Sequence, residues 1–343
     1  MKQVKLIGIK RFKEEECPIP KVNEDQVLIK IEICGICGSD VHSYTGHHPF
    51  VHPPIVLGHE YSGIVVKKGN NVINLDVGDR VTSEIVINCG KCYACTHGRY
   101  QICENGKYLG NVGRNGAMAD YIVMEADKVY KLPENMTPKQ GAMVEPSAVG
   151  MHAVRISNFC IGDIGLVIGA GVIGNLTAQA LKIAGARHVI LTDIIEARVG
   201  KSKELGFKDA INTSKVNLEK WIDENIGRDN LDIIFDCVGT EQSINIAVKN
   251  ARKGSQIIVI GVPALKVPIN LAYIQDRELN LIGSCQYVRD DYIRTIDLIS
   301  QGVIKTDPLI THVYPFSDYQ KAYDVVLSKE EAKKGRMKVI MEF

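Results

Sequence analysis

The chain has 343 residues, 45% of them hydrophobic and 24% charged, with 41 basic against 40 acidic side chains and a formal net charge of +1. That length gives room for roughly two domains of about 100–200 residues each, and the composition is that of an ordinary globular protein. Near-neutral charge without a basic stripe argues against nucleic acid or an anionic membrane as partner, and no run reaches the ~18 apolar residues of a membrane span.

Residues 1–8 read as a strand and lack the apolar core of a signal peptide, so a cytoplasmic location is expected. Without such a signal, the ten cysteines point to metal ligation and reduced thiols rather than a disulfide scaffold. Residues 1–35 alternate apolar and polar side chains with a period of two, which predicts strands. Gly35, Gly38, Gly46, Gly58 and Gly63 then mark a turn-rich, strand-rich domain.

Within it, Cys37-Gly38-Ser39-Asp40-Val41-His42 is followed by Gly58-His59-Glu60. Cys37, His59 and Glu60 are candidate ligands for a borderline-soft divalent metal, which means zinc. Three protein ligands and an open position make a catalytic pattern, because substrate must reach the metal. Ser39, two residues from a ligand, is placed to bond a substrate oxygen. His42, with an ordinary pKa near neutrality, can pass a proton to solvent; a plain surface histidine is its alternative reading. Between the clusters, His47, His48 and His52 stand among Pro49, Pro53 and Pro54 with no regular spacing. A surface loop at the solvent or substrate rim is expected there, not a second metal site.

Cys89-x2-Cys92-x2-Cys95-x7-Cys103 places four cysteines at metal-finger spacing. Closed tetrathiolate coordination makes a structural zinc site; two disulfides or unrelated thiols are the alternative. The lobe has few apolar residues, so a metal would supply much of its folding energy.

After strand-like residues 117–133 and Glu145-Pro146 the pattern changes. Gly165-Leu166-Val167-Ile168 reads as a buried strand. It runs into Gly169-Ala170-Gly171-Val172-Ile173-Gly174, a helix over 175–184 and a second strand over 188–192 that ends at Asp193. Strand, glycine loop, helix, strand and acid in that order predict a dinucleotide site. Gly169 permits a tight turn, Gly171 lets the backbone approach a pyrophosphate, and Gly174 lets helix and strand pack closely. The helix N-terminus offers N–H groups to the phosphates. Asp193, nineteen residues after Gly174, can accept bonds from both ribose hydroxyls and repel a 2′-phosphate, which predicts NAD rather than NADP; a strand-end turn residue is the alternative. Val172, Ile173 and Arg198 complete the candidate cofactor set.

Strands over 231–235, 256–260 and 279–282 alternate with helices near 198–206, 215–225 and 241–250, which predicts a doubly wound parallel sheet. From about residue 286 the tail reads helix, strand, helix, strand. Its last strand, 337–341, has no place in a filled six-stranded sheet and is expected to return to the first domain. The expected division is 1–150 catalytic, 151–285 dinucleotide-binding and 286–343 returning to the catalytic domain.

The stretch 37–42, Gly58-His59-Glu60-x2-Gly63-x5-Gly69, Gly78-Asp79-Arg80-Val81, the four-cysteine lobe, Glu145-Pro146 and the 169–174 loop together span nearly the whole chain. In that order they resemble the zinc-dependent medium-chain alcohol dehydrogenase family, and within it the polyol branch that includes sorbitol dehydrogenase. The resemblance implies an α/β protein with a GroES-like β-rich catalytic domain built from both termini and a Rossmann domain between them, with the active site in the cleft. It implies one catalytic and one structural zinc per subunit, NAD, and a homotetramer. It also implies Glu60 as third protein ligand, with Glu145 near the metal as a transient fourth ligand, a hydrogen-bond partner of zinc water, or a domain-boundary residue.

The complete cysteine set resembles microbial members rather than animal sorbitol dehydrogenases. Two positions depart from sorbitol dehydrogenases: Cys285-Gln286-Tyr287 replaces Phe-Arg-Tyr, and Ser43 replaces a tyrosine. The expected reaction is oxidation of a secondary alcohol of a polyol or sugar-derived substrate to a ketone. Threonine, 2,3-butanediol, sugar acids and sugar-alcohol phosphates are the alternative substrates. A zinc-free reductase would lack Cys37, His59 and Glu60, and a non-catalytic NAD-binding protein would not need Ser39 and His42 together.

Overall fold

The strand Gln26–Gly35 is buried along most of its length, which is why its sequence is so apolar. In this computed structural model, which describes residues 1–263 and 266–343, it lies at the centre of a seven-stranded sheet. Its neighbours are Glu60–Lys68 on one side and Lys338–Glu342 on the other, both antiparallel. Val27, Ile29 and Ile31 pack with Leu57, Val65, Val81 and Met124 to form the core. The last strand thus joins the N-terminal sheet, as the tail pattern predicts, and runs parallel to Ile310–Pro315.

The register gathers the site. Gly35 pairs with Glu60 across one edge and with Ile340 across the other. A Cβ on Gly35 would lie 2.5 Å from Glu60 Oε2, so the close approach of these strands requires glycine. Cys37, Glu60 and Lys338 converge at this end of the sheet.

The second sheet has six parallel strands in the order Ala210–Asn212, His188–Asp193, Ile164–Ile168, Ile233–Asp236, Gln256–Val259, Asn280–Gly283. All five residues of Ile164–Ile168 are buried, as a parallel strand covered on both faces demands. The chain order reverses beside this strand, and ligands of open α/β sheets bind at such a switch point, outside the carboxyl ends of the strands. Ala210–Asn212, three residues long, and the helix Leu271–Asp276 are too short to show a period and were not expected.

The chain divides into two compact units. One is Met1–Glu145 with Val288–Ser328 and Lys338–Phe343; the other is Pro146–Tyr287 with Lys329–Met337. The division falls at Glu145, inside the continuous helix Val144–Arg155, where no loop signal marks it. The tail, expected to return whole, is shared: Lys329–Met337 packs with the dinucleotide unit. Among the described residues no helix is long and apolar enough to cross a membrane.

Candidate active site and metal centres

Cys37 is the N-cap of the helix Gly38–Thr45, and Asp40 sits at its third position. One Asp40 oxygen accepts the Cys37 N–H at 3.0 Å; the other accepts the Gly58 N–H at 3.3 Å and lies 3.5 Å from His59 Nδ1. Asp40 therefore ties the cysteine turn to the histidine turn. On the far side of the ring, Ser39 Oγ is 3.5 Å from His59 Nε2.

His59 is buried, and its Nδ1 has no hydrogen-bond partner within normal limits. Burial opposes a charged ring, but Asp40 and Cys37 outweigh it and raise the His59 pKa well above the ordinary value. A proton or a metal ion answers the same concentration of anionic donors. A carboxylate behind a histidine is also the arrangement that orients metal-ligating imidazoles. The donor chemistry of Cys37 and His59 fits zinc.

Glu60 is placed differently. It is fully buried, and its carboxylate is held by Lys338, also buried. Lys338 Nζ donates to Glu60 Oε1 at 2.6 Å, to the second carboxylate oxygen, and to the Ile36 carbonyl at 3.2 Å. Burial works against the ammonium, yet Glu60 foremost, then Cys37 and, further down, Glu145 raise the Lys338 pKa. The structure thus brings Cys37, Ser39 and His59 together with Asp40, and turns Glu60 onto Lys338 rather than into one donor set with them. Glu145, buried in the first turn of Val144–Arg155, is near enough to act on Lys338.

Asp40 and Lys338 are the residues sequence reasoning gave no role. The signals were present: an acid three residues after the N-cap, and a lysine inside the apolar run Met337-Lys338-Val339-Ile340-Met341.

The Glu60–Lys338 pair yields a test of whether Glu60 reaches the metal. Breaking a buried ion pair leaves an uncompensated charge that costs about 3–5 kcal/mol. If zinc takes the carboxylate, it supplies that compensation. Lys338→Met is therefore expected to destabilise zinc-depleted protein by about that amount, and zinc-loaded protein distinctly less. Denaturant unfolding of both forms measures this; equal losses would remove Glu60 from the metal's ligands.

His42 lies on the surface side of Gly38–Thr45, where partial burial of the ring and then the nearby His47 lower its pKa. A neutral imidazole is the form that accepts a proton. His47 and His52 are exposed as expected, but His48 is buried, its Nδ1 accepting the Phe50 and Val51 N–H groups at 3.1 Å each. A histidine that satisfies a tight proline-flanked turn internally is not separable by spacing from a solvent-exposed one.

Among the described residues, Cys89, Cys92, Cys95 and Cys103 are the one set of metal-ligating side chains whose ligand atoms all lie within 4.8 Å of one another. Cys92 Sγ is 3.5 Å from Cys95 Sγ and 3.8 Å from Cys103 Sγ, and none is in a disulfide. Zn–S bonds of about 2.3 Å place tetrahedral sulfurs about 3.8 Å apart, so the thiols already have that spacing. The N–H groups of Lys91 and Cys92 lower the Cys89 pKa to about 6, whereas burial pushes Cys103 up to about 11.

In the dinucleotide unit, the helix Val172–Ile183 begins inside the glycine loop with Gly171 as N-cap, which sets Val172 and Ile173 in its first turn. A Cβ on Gly174 would lie 1.7 Å from the Gly169 carbonyl oxygen, so only glycine fits. A Cβ on Gly171 would meet nothing within 4 Å: the space a pyrophosphate needs is open. Asn175, fully buried, braces the loop by donating to the Ala170 and Gly171 carbonyls at 2.8 and 2.9 Å. Asp193 accepts the Ala170 N–H at 3.0 Å and the Ile195 N–H at 2.9 Å, with Arg198 Nη1 3.6 Å away. The residues fit a dinucleotide.

Two family models match the chain: the alcohol dehydrogenase GroES-like domain over residues 23–134 and the zinc-binding dehydrogenase over 172–301. The chain is 34% identical over 330 residues to a sorbitol dehydrogenase of Halalkalibacterium halodurans, covering 95% of each. It is 33% identical over 330 residues to an L-idonate 5-dehydrogenase of Vitis vinifera, covering 93% of this chain and 89% of that one. Its structure superposes with a TM-score of 0.90 on a zinc-binding dehydrogenase of Sinorhizobium meliloti 1021 bound to NADP, at 30% identity and covering 100% and 99% of the two chains. The fold is therefore a GroES-like domain with a Rossmann domain. The chain belongs to the zinc-dependent medium-chain alcohol dehydrogenase family, in its polyol branch, and is an oxidoreductase acting on CH–OH groups.

Proposed function

We propose that this protein uses zinc and NAD to oxidise a secondary alcohol of a polyol or sugar-derived substrate to the ketone. The observation that carries the reading is the gathering of the Cys37 thiol, the His59 ring and the Ser39 hydroxyl around the start of one helix, with Asp40 behind them. Zinc held by Cys37 and His59, and by Glu60 once its carboxylate leaves Lys338, would supply a Lewis acid that lowers the pKa of the substrate hydroxyl. Asp40 holds the His59 ring in its ligating orientation. Ser39 takes the hydroxyl proton in a hydrogen bond, and His42, neutral at neutral pH, passes it to solvent. Glu145 adds negative charge and hydrogen-bonding capacity beside the site. A second zinc on Cys89, Cys92, Cys95 and Cys103 holds their lobe together.

NAD would supply the hydride acceptor, and Gly171 with the first turn at Val172 and Ile173 would hold its pyrophosphate. Asp193, at the end of the strand His188–Asp193, would favour NAD by accepting hydrogen bonds from the ribose hydroxyls. The sorbitol and L-idonate dehydrogenases among the relatives act, by their names, on hydroxylated chains, which supports a substrate with neighbouring hydroxyls. Gln286 Oε1 is buried without a partner among the described residues. Gln286 stands where sorbitol dehydrogenases carry an arginine, and its neutral amide offers no charge to a phosphate or carboxylate, which favours neutral polyols. The same reading places the protein in the cytoplasm as a homotetramer, which sedimentation would check.

Dialysis against a strong chelator should abolish NAD-linked polyol oxidation, and added zinc should restore it. Turnover that survives complete loss of zinc would contradict the proposal.

A further inference from the structure

The chain passes from the dinucleotide unit back to the catalytic unit between Tyr287 and Val288. Just before the crossing, Gln286 has a left-handed φ of 53°, which a residue with a Cβ keeps only where its surroundings over-determine it. Just after it, the helix Arg289–Ser300 begins. Two tyrosines fasten that helix within the catalytic unit. Tyr292 is fully buried, and its hydroxyl lies 2.8 Å from both the Ser83 carbonyl and Thr82 Oγ1. Tyr100 comes from the cysteine lobe, between Cys95 and Cys103. Its hydroxyl accepts the Arg289 N–H at 2.5 Å and donates to Glu84 Oε2 at 2.6 Å. The first N–H groups of a helix have no partner inside it, and here one partner is supplied from 189 residues away. Glu84 is itself buried, takes the Tyr130 hydroxyl on its other oxygen and has Lys128 Nζ 4.0 Å from the first. Burial, and then the charge of Glu84, push the Tyr100 pKa up, so the hydroxyl stays a donor to the carboxylate.

We propose that Tyr100 is a positioning residue for the choice of substrate: by holding Arg289 it fixes the segment that carries Gln286, so that the cysteine lobe serves selectivity as well as stability. This deepens, and rests on, the reading of Gln286 as the residue that favours neutral polyols. Gln286 precedes Arg289 by three residues, so a hold on Arg289 limits the backbone angles open to it. Glu84 and Tyr130 keep the Tyr100 hydroxyl aimed, because turning it away would leave a buried carboxylate short of a donor. Freed from Tyr100, the start of the helix can shift, and Gln286 can relax toward a negative φ that carries its amide elsewhere. Tyr100 acts through Gln286, so its effect belongs in the KM for polyol and not in kcat or in the KM for NAD.

The test introduces Tyr100→Phe, which keeps the ring and removes both hydrogen bonds, into wild type and into Gln286→Ala. In wild type the KM for a neutral polyol should rise about five- to tenfold, the worth of a lost hydrogen bond, with kcat and the KM for NAD within about twofold. In Gln286→Ala the positioned side chain is gone, and the same substitution should move the polyol KM by less than about twofold. Equal effects in the two backgrounds, or an unchanged KM in the first, would overturn the proposal. Amide hydrogen exchange over residues 284–292 reads the hold without turnover: it should be faster in Tyr100→Phe, and unchanged rates would overturn the proposal too. If wild type oxidises no polyol, the reading of Gln286 fails, while the exchange still decides whether Tyr100 holds this segment.

Discussion

Cys37→Ser is expected to abolish alcohol oxidation and to remove one of two zinc ions while the chain stays folded. A serine hydroxyl is a poor replacement for a thiolate that ligates zinc at neutral pH. The Cys37 side chain is only half-buried at a helix N-cap, so the substitution removes little packing. The metal's Lewis acidity is worth several kcal/mol of transition-state stabilisation, so a rate loss of about a thousandfold or more follows. Steady-state rates, elemental analysis and circular dichroism check the three parts together. A variant that retains two zinc ions and activity within tenfold of wild type would mean that Cys37 is not a ligand.

Cys92→Ser should lose the other zinc and act on stability. The cysteine lobe contains two short helical turns, Tyr93–Thr96 and Tyr100–Ile102, in which only Ala94 and Gln101 are buried. Its buried apolar residues are only Ala94 and Cys103, so a metal on the four thiols would supply much of its folding energy. Structural zinc contributes about 10–16 kcal/mol of apparent binding energy in isolated finger peptides, and a site reduced to three thiolates loses a large share of it. A fall in melting temperature of about 10 °C or more is expected, since ~1 kcal/mol moves the midpoint of a chain of 150–250 residues by about 2–4 °C. Activity per folded molecule should change far less than in Cys37→Ser. An unchanged melting temperature would show that the lobe folds without its metal.

Much of this was legible in the sequence because the signals were local. The four cysteines declare themselves by spacing, and Gly169, Gly171, Gly174 and Asp193 by their order between two strands. The return of the last strand was inferred from the strands that precede it in the dinucleotide sheet, although five of the six were read and the short Ala210–Asn212 was not. What was hidden depends on pairs far apart in the chain. The Glu60–Lys338 contact joins residues 278 positions apart, and nothing near Glu60 announces it. The packing of Gly335 against Ala197 depends on a nine-residue return of the tail, Lys329–Met337, to a unit it was expected to bypass. His48 looks like its exposed neighbours, because a side chain that bonds its own turn follows no period. The expected boundary missed Glu145 because the helix Val144–Arg155 runs across it without a break.

The most direct test of the central claim is a screen of NAD reduction by the zinc-loaded enzyme across polyols, sugar acids, sugar-alcohol phosphates, threonine, 2,3-butanediol and simple alcohols. The buried carboxylates of Glu60 and Glu145 make surroundings that a small apolar alcohol matches poorly. Such sites reject substrates that lack the matching hydroxyls by large factors, up to about 10⁴–10⁵. A neutral polyol is therefore expected to give the highest kcat/KM, with its secondary hydroxyl converted to a ketone, and ethanol to be barely oxidised. Threonine as the best substrate would move the assignment to a threonine dehydrogenase, and a plain primary alcohol as the best substrate would contradict the polyol reading.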